Sequence, residues 1–171
     1  MATNNTSSSA LTNETATPIV KSNPGEGSRG QMLKSSQGYV ANNADDSSGS
    51  IQRFCRVPSN ALIRSVKFST ADATTAGAIN LGLYDTEGNG GAVVDADLFV
   101  SALDLTGGPF SKAEQIDESG EFTYAEQMTP LWEVLGLSAD PHKEYDVAST
   151  ISTTFNGAGV GQIVEVQYVT P

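Results

Sequence analysis

The feature that most constrains this chain is a period of two in its apolar residues, repeated in short segments with turn-forming residues between them. In residues 61–70, Leu62, Val66 and Phe68 fall on one side and Ser65 and Lys67 on the other, with Arg64 interrupting the apolar side and Ile63 the polar one. Ile79, Leu81 and Leu83 alternate with Asn80, Gly82 and Tyr84. Tyr145, Val147 and Ile151 alternate with Asp146, Ala148 and Ser152. Val160, Val164, Val166 and Tyr168 share a face opposite Glu165 and Gln167. Successive side chains of a strand point to opposite faces, so each pattern predicts a strand with one face in a core. Residues 51–57, 98–105 and 120–124 read as further strands, with turns at Pro58-Ser59-Asn60 and Gly157–Gly161. Seven or so strands spaced by turns predict an all-β fold, a β-sandwich or jelly roll, with one short helix and an extended N-terminal arm.

The short helix is expected in "MTPLWEVLGL". Thr129 suits the N-cap, Pro130 the first helical position and Gly136 the position past the end, although Glu133 falls one residue late for a capping box. Leu131, Trp132 and Leu135 would pack downward, with Trp132 closing one end of the sandwich.

The chain divides near residue 50. Residues 1–50 carry few large apolar groups, chiefly Leu11, Ile19, Val20, Met32, Leu33, Tyr39 and Val40, among serine, threonine, asparagine and glycine. Alone, such a segment buries too little surface to offset its ordering entropy. It reads as a disordered tail or as an arm that orders on a partner, with anchors at Ile19-Val20 and Met32-Leu33, reaching at most about 165 Å when extended. Residues 51–171 are read as the sandwich, and removal of residues 1–50 is expected to leave it folded.

Composition narrows the function classes. Nine basic against twenty acidic residues give a net charge of −11, which disfavours nucleic acid and anionic membranes as partners. No apolar run approaches the roughly 20 residues of a membrane span. The opening residues lack the basic and apolar regions of a secretory signal, and Cys55 is the single cysteine, so no internal disulfide or cysteine-rich zinc site is expected. A protein made in a reducing cytoplasm is the expectation.

Three places in the chain carry residues of chemical interest. "Asp85-Thr-Glu87-Gly-Asn89-Gly90" imitates the first half of an EF-hand loop, but Ala96 stands at the twelfth position, where a bidentate glutamate is needed. Asp95 and Asp97 offer oxygens for an irregular calcium site; the simpler reading is a wide glycine turn with solvated carboxylates. His142 is the single histidine and sits in a polar loop, and no nucleophile elbow, P-loop or dinucleotide fingerprint is present. Cys55 reads as a structural thiol. No catalytic residue, cofactor or metal is assigned, and the chain is not expected to be an enzyme.

Charge placement is more informative. Residues 51–67 hold Arg53, Arg56, Arg64 and Lys67 and no acidic residue, whereas residues 68–171 hold two basic and sixteen acidic. If strands 51–57 and 61–70 pair as a hairpin, these four are either solvated or paired with the domain's own acidic loops, or they form a docking face for an acidic surface, possibly that of a second copy.

The segments "Arg56-Val-Pro-Ser-Asn-Ala-Leu-Ile-Arg-Ser-Val-Lys-Phe68", "Asn80-Leu-Gly-Leu-Tyr-Asp85", "Asn89-Gly-Gly-Ala-Val-Val-Asp-Ala-Asp-Leu-Phe99", "Leu131-Trp-Glu-Val-Leu-Gly-Leu-Ser-Ala-Asp-Pro141" and "Glu144-Tyr-Asp-Val-Ala148" resemble the capsid decoration, or cement, proteins of short-tailed bacteriophages. The resemblance spans about residues 51–169. It implies a jelly-roll-like sandwich on the outside of an icosahedral head, a homo-oligomer (dimer or trimer) bound to the major capsid protein. Residues weighed as capsid or subunit contacts are Ile19, Val20, Met32, Leu33, Tyr39, Arg53, Arg56, Arg64 and Lys67. The competing expectation is a carbohydrate-binding sandwich using Trp132, Tyr84 or Tyr124 as stacking platforms and the 85–97 carboxylates for calcium.

Overall fold

The computed structural model describes residues 32–42, 46–70, 76–116, 122–123, 125–154 and 160–170. Eight strands form two four-stranded antiparallel sheets: β1 (Lys34–Ala41), β2 (Ile51–Pro58), β3 (Leu62–Thr70), β4 (Ala78–Asp85), β5 (Val93–Asp104), β6 (Phe110–Glu114), β7 (Glu144–Thr153) and β8 (Gly161–Val169). Sheet I has the order β1-β8-β3-β6 and sheet II the order β2-β7-β4-β5. The pairs β1–β8, β2–β7, β3–β6 and β4–β5 are the successive rungs of one long antiparallel hairpin whose tip is the turn between β4 and β5. Pairings of β3 with β8 and β4 with β7 close the rolled hairpin into a sandwich. This is a jelly roll, one of the two architectures that the alternation leaves open.

The core lies between the sheets. Val66, Phe68, Val164 and Val166 from sheet I meet Ile79, Leu81, Leu83, Val147 and Ile151 from sheet II. These are the residues whose period of two marked them as inward. The break at Ile63-Arg64 is a β-bulge: Ile63 pairs with Tyr168 and Ser65 with Gln167, so Arg64 is the extra residue. The bulge lets Ile63 enter the core. A second bulge at Phe54, between Arg53 and Cys55, resets β2 against β7.

Residues 34–41 were read as part of the arm, yet they form β1, paired along its whole length with β8 from Lys34–Tyr168 to Ala41–Gly161. The sandwich therefore begins before residue 50. Its hold on β1 is backbone pairing plus close approach to β2: a Cβ on Gly38 would lie 1.8 Å from the Phe54 carbonyl oxygen. Truncation at residue 50 would remove a strand of the sandwich and uncover the edge of β8, contrary to the expectation that the domain survives it. Residues 1–31, with Ile19 and Val20, lie outside the described residues.

Among the described residues the one α-helix is α1 (Leu131–Val134), and the cap position falls on Pro130, one residue later than Thr129. The cause is tertiary. The Leu131 and Trp132 N–H groups donate to the carbonyls of Ala61 and Ser59 at 2.9 and 3.0 Å, so the β2–β3 turn does the work of a capping side chain. Gly136 takes φ 71° just past the helix, as expected. The plug is Leu131, fully buried in the core; Trp132 is only half-buried. Phe110–Glu114 is a strand that the sequence reading omitted. Of the strand expected at 120–124, residues 120, 121 and 124 lie outside the described residues, as do 155–159 of the last turn.

Candidate interaction surfaces

The glycine-rich stretch after β4 is a tight turn. Glu87–Asn89 make one 3-10 turn, and Gly90 and Gly91 follow with φ 95° and 65°, a region that costs a side chain energy. Its carboxylates disperse. Asp85 Oδ1 meets the Lys143 ammonium at 2.5 Å. Asp95 accepts from the Asp97 N–H at 3.3 Å, and Asp97 accepts from the Ser101 hydroxyl at 3.2 Å. Among the described residues no three His, Cys, Asp or Glu side chains come together as metal ligands.

The stretch instead covers sheet II. Between Leu81, paired with Val100, and Leu83, paired with Asp95, β5 carries extra residues. They lie over Gly82, where a Cβ would stand 2.0 Å from the Asp95 carbonyl oxygen and 2.5 Å from the Ala96 carbonyl carbon. Tyr84 on the same face is thereby fully buried, bonded through its hydroxyl to Thr150, so it offers no stacking platform to a sugar. Burial pushes its phenol pKa above the ordinary value.

Beside this cover sits a buried charge cluster. Asp146, 5% exposed, takes Arg53 Nη1 on Oδ2 at 2.9 Å and Arg56 Nε on Oδ1 at 2.7 Å. Arg53 also donates to the carbonyls of Asp85 and Gly91, both at 2.9 Å, and lies over the Tyr84 ring, 5.6 Å from its centre. Arg53 thus pins the turn after β4 to β2. Hydrogen bonding to Asp146 raises the Arg56 pKa further. Arg53, Phe54, Cys55, Arg56, Glu87 and Asp146 line a shallow cleft of about 280 Å³. Burial pushes the Cys55 thiol up to about 11, against a hydrogen bond with Ser36 that lowers it. A thiol so raised stays protonated at neutral pH and is a poor nucleophile.

The four basic residues do not make one face. β2 and β3 lie in different sheets, so no hairpin joins them, and Arg53 and Arg56 are separated by the sandwich from Arg64 and Lys67. Arg64 donates to the Gln127 carbonyl at 2.9 Å. Lys67 stands in register between Glu165 and Glu114. Local carboxylates and carbonyls surround charge that looked unopposed along the chain.

Ser59, Asp140 and His142 come together in the wrong order for nucleophilic catalysis. Asp140 sits in the middle, taking the Ser59 hydroxyl at 2.5 Å on one oxygen and His142 Nδ1 at 3.2 Å on the other. Ser59 is buried and has no histidine base. Its hydroxyl bond holds the Asp140 carboxyl below the usual range.

The outer face of sheet I is different. Tyr39 and Ile163, directly paired across β1 and β8, are 65% and 40% exposed. Met32 and Leu33 stand exposed just before β1. The sequence reading weighed Met32, Leu33 and Tyr39 but missed Ile163. The signal was present: Ile163 shares the parity of Glu165 and Gln167, an isoleucine on the polar side of an amphipathic strand.

Eight strands rolled as one hairpin, with no cluster of ligating side chains among the described residues, define a jelly-roll β-sandwich that presents faces and edges. No family model matches the chain, and no curated protein does either. Among solved structures, a chain of the "Cyanophage Pam1 capsid asymmetric unit" is similar over 91% of this chain and 96% of its own length, with a TM-score of 0.54 and 18% identity. At that identity the likeness is one of fold. Among the described residues no helix is long and apolar enough to cross a membrane.

Proposed function

We propose that this chain is a structural protein of a bacteriophage virion, a decoration protein that binds the outer surface of the head and stabilises contacts between major capsid subunits. The observation that carries this reading is the fold likeness to a chain of a phage capsid asymmetric unit, spanning nearly the full length of both chains. The sequence resemblance to decoration proteins points the same way. Cementing requires no bond-making chemistry and no cofactor. It requires a rigid body repeated by symmetry, so that modest contacts act together. A net charge of −11 keeps such a protein dispersed before assembly and gives the particle a solvated acidic exterior. Synthesis in the bacterial host cytoplasm followed by residence on the capsid exterior fits one unpaired cysteine and no membrane-spanning helix among the described residues.

The test is particle composition and rescue. Mass spectrometry of purified virions from the encoding genome is expected to find this chain at a stoichiometry set by the capsid lattice. Particles lacking it should lose heat resistance and regain it when the purified protein is added. Absence of the chain from virions, or its presence with no effect on head stability, would refute the reading.

A further inference from the structure

We propose that the outer face of sheet I is a self-association surface that joins two copies of this chain about a two-fold axis. The described residues hold thirteen acidic and seven basic side chains, an excess of six acids. None of that excess falls here: the face carries Lys67 and Lys112 against Glu114 and Glu165. Copies of an acidic chain repel one another overall, and a contact through this face adds no like charge to that repulsion. Equal numbers of both signs also fit a copy better than a charged partner, because a two-fold contact sets one patch against itself. The internal pair is loose, with Lys112 Nζ 3.8 Å from Glu165 and the lysine side chain 72% exposed, so it can exchange for a contact across the axis.

The apolar centre is Tyr39 beside Ile163. A Cβ on Gly161 would lie 2.8 Å from the Tyr39 ring, so the ring is seated on the glycine and keeps its outward position. Aromatic and aliphatic anchors inside a polar rim are the usual centre of an interface. A face four strands wide and eight residues long projects roughly 500 Å², the order of the ~800 Å² per partner in standard interfaces.

The test is sedimentation velocity of the full chain between about 1 and 100 μM. The native protein is expected to be a dimer. Ile163→Glu and Lys67→Glu are each expected to raise the dimer dissociation constant at least tenfold with unchanged far-UV circular dichroism. Val93→Glu and Leu137→Glu, which change exposed apolar side chains elsewhere, should leave it unaltered. Hydrogen exchange of the native protein should show residues 35–39 and 163–167 better protected at high concentration than at low. A monomer throughout, an assembly other than a dimer, folded face variants that still pair, controls that dissociate equally, or concentration-independent exchange would each overturn the proposal. No capsid enters the assay, so its outcome is separate from that of the decoration reading.

Discussion

Gly38→Ala is the sharpest probe of where this domain begins. The added Cβ would stand 1.8, 2.4 and 2.8 Å from the carbonyl oxygen, carbonyl carbon and Cα of Phe54, where ordinary contact begins near 3.4 Å. The obstacle is backbone, held by the β2–β7 ladder on either side of the bulge, so it cannot rotate away as a side chain tip would. Overpacking of a fixed site costs about 1–3 kcal/mol, and this clash belongs at the top of that range. Separation by about 1.5 Å is needed, and β1, as the terminal strand of sheet I, is the element able to move. The cost is therefore capped by the free energy that docks β1. With a urea m-value of about 2 kcal/mol/M, a 3 kcal/mol loss lowers the midpoint by about 1.5 M. Hydrogen exchange should accelerate along 34–41 and its partners 161–168 while β4 and β7 stay protected. Gly107→Ala, where no atom lies within 4 Å of the new Cβ, is the matched control and should be nearly neutral. A midpoint within about 0.3 M of the native value, with β8 still protected, would refute the placement of β1 in the sandwich.

Other perturbations test the remaining links. Asp146→Asn leaves the half-buried Arg53 without its counter-ion, and after discounting for the exposure of Arg56 the loss is about 2–4 kcal/mol, read as a melting-temperature drop of roughly 5–12 °C. Leu131→Ala should cost about 3 kcal/mol and Trp132→Ala about 1–2, measured by urea titration; the reverse order would restore Trp132 as the plug. For Cys55 the pH dependence has a definite sign. Above the ordinary thiol value of 9.0 the unfolded chain loses a proton that the folded chain keeps until about 11, so stability falls as pH rises through that window. The ceiling is about 2–3 kcal/mol, and Cys55→Ala should flatten this part of the profile.

Legibility followed burial. β3, β4, β7 and β8 have one face in the core, and their inward residues announced them by parity. β1 did not, because "KSSQGYVA" turns its largest side chain, Tyr39, to solvent and owes its place to ladder hydrogen bonds and to a missing side chain at Gly38. β6 is five residues with only Phe110 and Ala113 to mark it. The interruption at Ile63-Arg64 is a bulge, which no period-of-two template contains. Charge proximity along the chain failed as a guide to surface because the winding sends β2 and β3 to opposite sheets. Asp146 sits on the solvent-facing side of its strand by parity, and there it meets Arg53 and Arg56 of β2, a long-range pairing with no local signature.

Pairing of the first strand with the last has a temporal consequence. Lys34 meets Tyr168 in register, and the Lys34 ammonium touches the Thr170 hydroxyl at 2.8 Å, a contact between residues 136 positions apart in sequence. During synthesis β1 leaves the ribosome with no strand to pair with until β8 follows, so sheet I closes around its half of the core only once β8 has emerged. Such non-local closure is slow.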